Sequence, residues 1–577
     1  MLHMRRALVR SLSLVAATAV VTGSLAACSS ENSEQVPSIG YAIDNTVTTY
    51  NANTTAGSVS GAMAALGRVL PGFTFTGPVG AAVSDTDIGT AAELPGQTLT
   101  VAYKLNPSSV YSDGIPLTCD DLVLTWAASN GRFTKDVDGA QVPMFDVANS
   151  LGYSDIDRID CQSGSKDATV VFKPGRAFTE WRTLFGATSL MPSHIAAQRA
   201  GVPDLVTAVN SGDTEALSKI ADFWNTGWNM VPGQLDKTVL VSSGPYRVDE
   251  YTEDGGLVLV ANERWWGNKP ATDRIVVWPR GVDLVKDVDS HSIEVIDVGA
   301  GAAGDLGDLS GFSTVQIPSR SIEQFILATS GVLGDEAARR AFAHCVPRSA
   351  LFDQFGKTPN APAAGVGSGV VDSRLAVPDS LVYHDAAATD GDRYSNADVA
   401  ATKVSLSEAG LDGLTVRVGY LAPDPARAQI VSEVKAACAP AGITIEDVSS
   451  PSFDPQALRG GDVDAVLAGT AGQAGAAGMV DMIDARGALR GGNSSNFSGY
   501  HNTRIDQIID QLNTDPGIAA QLGLSVEAEN ILWTQVPTIP LFNQVRTVAV
   551  AQGMSAVVAN PTRSATGWNM DRWVLRR

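Results

Sequence analysis

The sequence predicts a mixed α/β protein with two or three domains, and three observations lead to this prediction. First, the chain has 577 residues, which is more than a single hydrophobic core usually serves. Second, 44% of the residues are hydrophobic and 18% are charged, a composition typical of globular proteins. Third, strand patterns and helix patterns alternate along the chain, so we expect at least two sheets with helices packed on them.

The N-terminal half begins with a predicted strand at residues 38–43. Apolar residues at helical spacing then predict one helix, which ends at Pro71 and Gly72; they are Val59, Met63, Leu66 and Leu70. Thr118 and Asp121 form a capping-box pattern, which predicts the start of another helix. Alternation and β-branched residues predict further strands at residues 99–105, 168–173, 246–248, 257–260 and 275–278.

The C-terminal half contains a strand–helix–strand pattern. Residues 414–418 and 443–448 are predicted strands, and residues 426–437 between them are a predicted helix. This order is typical of a βαβ unit, in which the strands are parallel and the crossover is right-handed. A further strand is predicted at residues 463–467. A further amphipathic helix is predicted from the spacing of Ile505, Ile508, Ile509 and Leu512.

The N-terminus has the pattern of an export signal. Arg5, Arg6 and Arg10 precede an apolar stretch, residues 12–27, that is shorter than the ~20 residues of a membrane-spanning helix. The stretch ends in Leu-Ala-Ala before Cys28, so residues 1–27 are interpreted as a signal peptide and residues 28–36 as a tether. The sequence around Cys28 resembles the lipobox of bacterial lipoproteins, which implies that its thiol carries a lipid anchor. The alternative is an ordinary secretory signal with a Cys there by chance.

Five cysteines are present, and four remain when Cys28 is set aside. An even number outside the cell suggests two disulfides, for which three connectivities are open, and four buried free thiols are the alternative. Metal ligation is disfavoured because no CxxC or paired His accompanies them. The remaining cysteines are Cys119, Cys161, Cys345 and Cys438.

The charge and the motifs argue against several function classes. The net charge of -21 disfavours nucleic acid as a partner, because an acidic surface repels phosphates. Gly299, Gly301 and Gly304 match GxGxxG, but Gly307 and Gly311 make the next segment a poor helix, so we interpret it as a glycine-rich loop and expect no dinucleotide cofactor. The histidines lack metal-site spacing and no GxSxG is present. We therefore expect neither a metal site nor a catalytic site.

Six segments, in chain order, resemble signatures of family 5 extracellular solute-binding proteins, the oligopeptide and dipeptide receptors. Residues 111–121 (YSDGIPLTCDD) are similar to that family's W-S-D-G-x-P-V-T-A-x-D, and residues 499–506 to its G-Y-x-N-x-x-x-D. The other four segments are residues 190–194, 243–246, 262–267 and 335–348. The resemblance implies a periplasmic-binding-protein-like α/β fold of the cluster C type, with two lobes, a hinge and an interlobe cleft.

The resemblance also implies three domains. Domain I is expected to be discontinuous, with residues 37–78, 228–320 and 545–577. Domain II is expected at residues 79–227, and domain III at residues 321–544. With these boundaries, the pairing Cys119–Cys161 and Cys345–Cys438 is favoured, because each bridge then lies within one domain.

Candidate ligand-binding residues follow from the same resemblance. In family members the loop after the first strand approaches the ligand, and it contains Tyr50, Asn51 and Asn53 here. A G-W-x-x-D segment, whose Asp pairs with a peptide's α-amino group, is replaced at residues 469–473 by Gly, Thr, Ala, Gly and Gln. Both the Trp and the Asp are absent, so a peptide with a free amine is in question. The candidates at these and a third segment are Gly469, Thr470, Gln473, Asn496 and Tyr500.

The resemblance implies a lipid-anchored receptor on the outer face of the cytoplasmic membrane. It is expected to act as a monomer, to capture a small ligand, presumed to be a peptide, and to deliver it to the permease of an ABC importer without catalysis. Within the same class, haem, an oligosaccharide or a nickel chelate is an alternative ligand. From other classes, a lipid-anchored envelope hydrolase and a structural lipoprotein without a ligand are alternatives.

Overall fold

The computed structural model of the chain describes residues 34–281, 284–301, 306–359, 362–470 and 481–577. Two predicted functional residues, Cys28 and Gln473, lie outside the described residues, as do the predicted signal peptide and most of the predicted tether. Within the described part of the chain, no helix combines the length and the apolar character that crossing a membrane requires.

The strands are β1 Ser38–Ile43, β2 Thr74–Thr76, β3 Ala82–Ser84, β4 Gly89–Glu93, β5 Thr100–Leu105, β6 Thr134–Val137, β7 Ala140–Pro143, β8 Ile156–Asp160, β9 Asp167–Phe172, β10 Tyr246–Tyr251, β11 Leu257–Ala261, β12 Arg274–Trp278, β13 Val295–Gly299, β14 Phe312–Leu327, β15 Leu414–Gly419, β16 Ile443–Asp447, β17 Ala465–Ala468, β18 Thr538–Ala551, β19 Met554–Ser555 and β20 Val574–Leu575.

The α-helices are α1 Thr55–Val59, α2 Ala62–Leu66, α3 Cys119–Ser129, α4 Ser193–Ala200, α5 Leu205–Ser211, α6 Thr214–Thr226, α7 Leu284–Asp289, α8 Glu336–Cys345, α9 Arg348–Leu351, α10 Tyr383–Ala387, α11 Val399–Glu408, α12 Pro425–Cys438, α13 Ala457–Gly460, α14 Asp481–Leu489, α15 Thr503–Thr514 and α16 Ile518–Gln535.

One large mixed sheet runs through the protein. Among the described residues it has ten strands, in the order β10-β11-β12-β1-β13-β18-β14-β17-β15-β16. Strand β1 is parallel to both β12 and β13, as expected for a strand buried in the middle of a sheet. Strands β10 and β11 form the predicted antiparallel hairpin.

Two long neighbouring strands join the two halves of this sheet. Residues 312–318 of β14 pair with residues 545–551 of β18, and residues 322–326 pair with residues 538–543. The register shifts between Pro318 and Ile322. Because Pro has no N–H to donate to a ladder, an irregularity beside Pro318 is physically expected. On one side of this irregularity β18 also pairs with β13, and on the other side β14 pairs with β17.

A separate sheet and one disulfide organise the residues between β3 and β10. Within the described part of the chain, strands β4, β5, β9 and β8 form a four-stranded sheet. The carboxylate of Asp121 accepts the Thr118 amide at 3.0 Å at the start of α3, as the capping-box pattern predicts. Cys119, the first residue of α3, forms a disulfide with Cys161.

The predicted βαβ unit is present in the C-terminal half. Strands β15 and β16 are parallel, and α12 connects them. Pro425 occupies the first helical turn, where its missing N–H costs nothing, and Asp424 caps the helix by accepting the Arg427 amide. A disulfide between Cys345 and Cys438 ties the end of α8 to the end of α12. Both bridges of the favoured pairing are therefore present.

The single helix predicted from Val59 to Leu70 is wrong. The chain forms two short helices, α1 and α2, because Ser60 adopts an extended conformation between them. The Gly61 amide donates to the Thr46 carbonyl instead of to the preceding helical turn. A Cβ at Gly61 would come 2.7 Å from the Ile43 Cδ1, so a larger residue there would have to displace the end of that β1 side chain.

The hydrophobic core of the described residues contains two large clusters. One large cluster connects β1, β5, α2, α3, α6 and β10. A second cluster is formed around α8, α12, β15, β16 and the first half of β18. The first cluster also includes Ile483, Ile505 and Leu512 of α14 and α15, so it extends from the N-terminal half of the chain into predicted domain III.

Candidate functional site

A partly open cavity lies where the three predicted domains meet. Its volume is about 120 Å³, well below the ~300–1,000 Å³ of pockets for drug-sized ligands. The N-terminal part of the chain contributes the loop before α1 to the cavity wall. The long loop after β7 forms another part of the wall, and α14 and the loop after it form a third. The lining residues are Ala52, Asn53, Ser58, Met63, Ser129, Ala148, Asn149, Tyr153, Thr188, Ser189, Asp484, Ser495 and Arg563.

Backbone hydrogen bonds join the three walls of this cavity. The Ala148 amide donates to the Asn53 carbonyl at 2.9 Å, and the Ser495 amide donates to the Ala148 carbonyl at 2.8 Å. These groups therefore lie at the cavity wall and bond to each other in this conformation. A lobe movement that separates Ser495 from Ala148 exposes one backbone donor and one backbone acceptor.

Side chains add to the contact between the lobes. Asn493 accepts hydrogen bonds from Ser150 and donates to Asn149 at 2.9 Å. On another part of the same boundary, Arg176 pairs with Asp155 at 2.6 Å and with Asp510 at 3.4 Å. The structure therefore shows a closed cleft.

An ion pair forms part of the cavity wall. Arg563 Nη1 lies 3.3 Å from Asp484 Oδ2, and each side chain is only 11% exposed. Arg563 also donates from Nη2 to the Ser58 carbonyl at 2.7 Å. That second bond fixes the guanidinium on the wall formed by the N-terminal part of the chain.

The hydroxyl groups of Ser495 and Tyr153 face this cavity, and they differ in their hydrogen bonding. Ser495 is only 4% exposed. Its hydroxyl oxygen has no hydrogen-bond partner among the described residues. Tyr153 accepts the Phe185 amide at 2.9 Å, and burial raises the pKa of its phenol to about 12. The phenol is thus neutral at physiological pH, and the Ser495 hydroxyl lacks the partner that buried polar groups normally have.

A second cavity of about 100 Å³ adjoins the first and shares Met63 and Ser189 with it. Its walls contain the ring of Phe75, several small or hydroxyl-bearing residues and no charged side chain among the described residues. Together the two cavities offer a polar chamber beside a mostly uncharged one. This arrangement suits a small ligand with one polar part and one side chain.

The family is shown by comparison with known proteins. The family model described as "Bacterial extracellular solute-binding proteins, family 5 Middle" matches residues 91–480. The chain belongs to this family. It is 42% identical over 566 residues to an uncharacterized lipoprotein of Mycobacterium bovis, with 97% of each chain covered. It is also 28% identical over 304 residues to the oligopeptide-binding protein OppA of that organism, covering 50% of this chain and 44% of OppA.

Solved structures show the same fold. The periplasmic EDTA-binding protein EppA superposes with a TM-score of 0.73 at 21% identity, covering 95% of this chain and 98% of EppA. The oligopeptide-binding protein AppA from Bacillus subtilis, in complex with a nonapeptide, superposes with a TM-score of 0.69 at 14% identity, covering 94% of this chain and all of AppA. The predicted α/β binding-protein fold with two lobes is confirmed.

In this family 5 chain, the loop predicted to approach the ligand divides into two kinds of residue. Asn53 lines the cavity, where its amide side chain donates to the Thr188 carbonyl at 3.2 Å. Tyr50 and Asn51 are buried behind it and donate to the Val241 and Trp224 carbonyls. Burial raises the pKa of Tyr50, so its phenol is a fixed donor. These two residues hold the loop in place, and Asn53 reaches the cavity.

The other predicted ligand residues make internal contacts. Thr470 accepts the Ile322 amide and donates its own amide to Ser321, beside the irregular part of β14. Asn496 donates to the Tyr500 carbonyl at 2.7 Å, and the Tyr500 hydroxyl donates to Gln535. Gly469 is buried directly after β17. None of these four is among the lining residues of the cavity.

The sequence analysis missed the charged and hydroxyl residues of the cavity. Asp484, Ser495 and Arg563 belong to none of the family signatures, and 79 positions separate the two charged residues. The segment that replaces G-W-x-x-D ends at residue 473, and Asp484 follows it only after Asp481 and the start of α14. No sequence pattern pointed to Arg563.

The glycine-rich loop after β13 belongs to the boundary between the lobes. The Gly299 amide donates to Asp44 at 2.6 Å, and Gly301 lies against the first turn of α12. Gly304 lies outside the described residues. The Gly299 amide therefore already donates its hydrogen bond to Asp44 and is not available to a dinucleotide phosphate.

Two other polar clusters are local. His194 lies 2.9 Å from Asp113 beside a groove of about 560 Å³, formed where α3, α4 and α5 begin, that shares no residue with the cleft cavities. His501, which is 70% exposed at its side chain, lies 3.4 Å from Asp506. Cys119, Asp120 and Cys161 lie together, but the two sulfurs are bonded to each other and are not thiolate ligands.

Proposed function

We propose that the chain is the extracytoplasmic substrate-binding lipoprotein of an ABC importer, and that it captures a short peptide by closing its lobes. The observation that carries this proposal is the cavity between the lobes, which is bordered by backbone groups of all three predicted domains. Membership of family 5 supports it. So does the peptide bound to AppA, whose fold this chain shares.

The backbone groups at the cavity suit peptide recognition. In the closed cleft the Ser495 amide and the Ala148 carbonyl bond to each other. When the lobes open, both become available to the main chain of a peptide, as in the addition of a strand to a sheet edge. We propose that Asn53 and Ser495 contact the ligand directly. Tyr50, Asn51, Gly469, Thr470, Asn496 and Tyr500 then position the surrounding walls, and Gln473 remains a candidate contact.

The lobes are proposed to move about the irregular part of β14 and β18. The predicted boundaries at residues 320/321 and 544/545 fall beside the register shift between Pro318 and Ile322. A ligand stabilises the closed form only by its contacts with both lobes, and hinge closure of this kind involves a few residues between the domains. The permease then distinguishes loaded from empty receptor by its shape.

The relatives and the N-terminus support an extracytoplasmic location for the protein. The M. bovis relative is named a lipoprotein, and Cys28 stands in a lipobox-like sequence. We propose that acylated Cys28 anchors a monomer on the outer face of the cytoplasmic membrane, where the receptor binds and releases its ligand without catalysis. Replacing Cys28 with Ala is expected to move the protein from the membrane fraction to the medium or the soluble fraction.

The proposal is tested by identifying the ligand that co-purifies with the protein. Native mass spectrometry of the freshly purified protein is expected to show an added mass, and denaturation should release a peptide. Small-angle scattering before and after adding that peptide is expected to show compaction. A haem, a sugar or a metal chelate in the spectrum would contradict the peptide. Turnover of the added peptide would contradict a receptor without catalysis.

A further inference from the structure

We propose that a basic surface on predicted domain I docks on anionic phospholipid headgroups and so determines which side of the anchored receptor faces the membrane. The basic surface consists of five cations beside the point where the described chain begins: Lys269, Arg274, Arg572, Arg576 and Arg577. The inference rests on the lipid anchor of the proposed function, because that anchor holds this surface close to the bilayer. An acyl anchor by itself fixes where the chain is attached, and not which face of the protein meets the bilayer.

The first observation is the place where the described chain begins. The Val36 amide donates to the Leu575 carbonyl at 2.9 Å, and the Arg577 amide donates to the Glu34 carbonyl at 3.1 Å. Six residue positions separate Glu34 from Cys28. Even a fully extended chain of that length spans at most about 20 Å. An acylated Cys28 therefore holds this edge of domain I within that distance of the bilayer.

The second observation is that the cations flank the first described residues on both sides. On one side, the Gln35 side chain donates to the Ala271 carbonyl at 2.6 Å. Ser38 pairs with Arg274 in the parallel register of β1 and β12, and Arg274 Nη1 donates to the Ser38 hydroxyl at 3.1 Å. On the other side, Gln35 forms an antiparallel bridge with Arg576. Backbone pairing thus brings basic residues from distant parts of the sequence to one edge.

The basic side chains of this edge reach solvent. The Arg572 side chain is 73% exposed, and its segment joins the edge because the Ala271 amide donates to the Asp571 carbonyl at 2.8 Å. The Arg577 side chain is 43% exposed although it pairs with Glu294 at 2.9 Å. The other three cations are exposed as well. All five are therefore open to a partner outside the protein.

The charge of the basic surface is opposite to that of the whole chain. The chain has 41 Lys and Arg against 62 Asp and Glu. In residues 34–38, 269–274 and 572–577, five cations accompany two carboxylates. Asp571, at the border of the last segment, is 12% exposed at its side chain and pairs with Arg68 at 3.0 Å. Because an anionic membrane repels an acidic protein as a whole, a local basic surface determines the side that can approach it.

Headgroup phosphates have the charge and the position that this surface requires. Each basic residue close to an anionic membrane strengthens attachment by roughly fivefold. The attraction decays within a Debye length of about 10 Å, so it depends on the short connection between Glu34 and Cys28. An acidic protein has the same charge as these lipids, but the position beside the anchor favours the lipid surface.

The test measures vesicle binding of the mature chain with Cys28→Ser, so that no acyl group contributes. Vesicles of phosphatidylcholine and phosphatidylglycerol in equal parts are expected to sediment the protein, and vesicles of phosphatidylcholine alone are not. The combined replacement Lys269→Gln, Arg572→Gln and Arg576→Gln is expected to weaken binding to the mixed vesicles at least tenfold. High salt is expected to weaken binding of the parent chain, because it screens exposed charges.

The matched control removes the same amount of charge from other surfaces. Lys135, Lys403 and Lys435 are exposed residues of predicted domains II and III, and their combined replacement by Gln is expected to leave vesicle binding nearly unchanged. Arg577 is retained in every protein, because it pairs with the buried Glu294. Circular dichroism confirms that each variant is folded.

The outcomes separate this inference from the proposed function. Equal vesicle binding by the two triple variants, or no preference of the parent chain for anionic vesicles, overturns the basic docking surface and leaves the receptor function standing. If the first triple variant lowers ligand import by cells while its vesicle binding equals that of the control, the cations contact a protein and the lipid assignment is overturned. An intact mass without acyl groups on the membrane-extracted protein overturns both the anchor and the inference. Weakened binding in the first triple variant alone supports the inference.

Discussion

The side-chain oxygen of Asn493 accepts two hydrogen bonds from Ser150, one from the amide nitrogen at 3.2 Å and one from the hydroxyl at 2.9 Å. Asn493 lies in predicted domain III and Ser150 in predicted domain II. The same Asn side chain donates to Asn149. One residue thus bonds to three polar groups across the boundary between predicted domains II and III, and we expect its loss to affect closure more than the stability of either lobe.

Asn493→Ala is expected to favour the open form. Removing the Asn493 side chain leaves the amide and the hydroxyl of Ser150 without this acceptor, at a cost of about 1–3 kcal/mol, so ligand affinity should fall by roughly tenfold. Titration calorimetry measures the affinity, and small-angle scattering measures the increase in radius of gyration. Asn530→Ala is the control, because the Asn530 side chain bonds only within α16 in the described structure. Equal effects of both substitutions would contradict the assignment.

Gly301→Ala is expected to hinder closure without unfolding the protein. A Cβ at Gly301 would lie 2.4 Å from the Ala426 Cβ, at the first turn of α12, so the two segments must separate for the methyl group to fit. Ligand binding should weaken while the melting temperature changes little. The control is Gly523→Ala in α16, where the added Cβ meets nothing within 4 Å and helix propensity predicts a gain of up to about 1 kcal/mol. Undiminished ligand affinity in Gly301→Ala refutes the steric argument.

Removing the Cys345–Cys438 bridge with a double Ala substitution is expected to lower the free energy of unfolding by about 4–5 kcal/mol in the chain-entropy model. The bridge closes a loop of 93 residues. The Cys119–Cys161 bridge closes 42 residues and should contribute somewhat less, about 4 kcal/mol. Urea unfolding of both double variants measures the difference. A reversed order would show that strain or residual unfolded structure outweighs loop length.

His344 is expected to make stability depend on pH below neutrality. Burial lowers the pKa of His344 in the folded protein, and its Nδ1 has no hydrogen-bond partner among the described residues. Below the ordinary pKa of about 6.5, the unfolded chain therefore takes up a proton before the folded protein does. Stability falls as the pH decreases through this range.

The test compares melting temperatures at pH 7.5 and pH 5.5. His344→Gln is expected to reduce the difference between the two, and the exposed His384→Gln is expected to leave it unchanged. Asp398 opposes the shift of His344, and Arg393 reinforces it. A difference that is the same in all three proteins would show that other groups determine the pH dependence.

Local elements of the fold were predictable from the sequence, and most of the site was not. The strand Ser38–Ile43 and the unit formed by β15, α12 and β16 follow from periodicity and caps. The break at Ser60 and Gly61 was not predictable, because it depends on contact with Ile43 and Thr46. The helical spacing of apolar residues continues across this break. Tertiary contacts nevertheless outweigh that local preference and interrupt the helix.

The cavity depends on contacts between distant segments. Asn53 could be identified as a cavity residue from the sequence. It lies in the loop after the first strand, which approaches the ligand in the family that the sequence resembles. Arg563 and Asp484 meet only after the C-terminal segment returns to α1 and α14 approaches it. Tyr50 and Asn51 are of residue types that can contact a ligand. Their side chains instead donate hydrogen bonds to backbone carbonyls behind the loop. Residue type and position alone cannot distinguish these roles.

The paired strands β14 and β18 have a consequence for how the receptor moves. Their backbone hydrogen bonds run on both sides of the register shift, so sliding one lobe past the other would break a ladder, whereas twisting the ribbon preserves it. We therefore expect the proposed opening to be mainly a rotation about these two strands. A single pair of fluorescent labels, one on each lobe, should therefore report the entire transition as one distance that changes between two values.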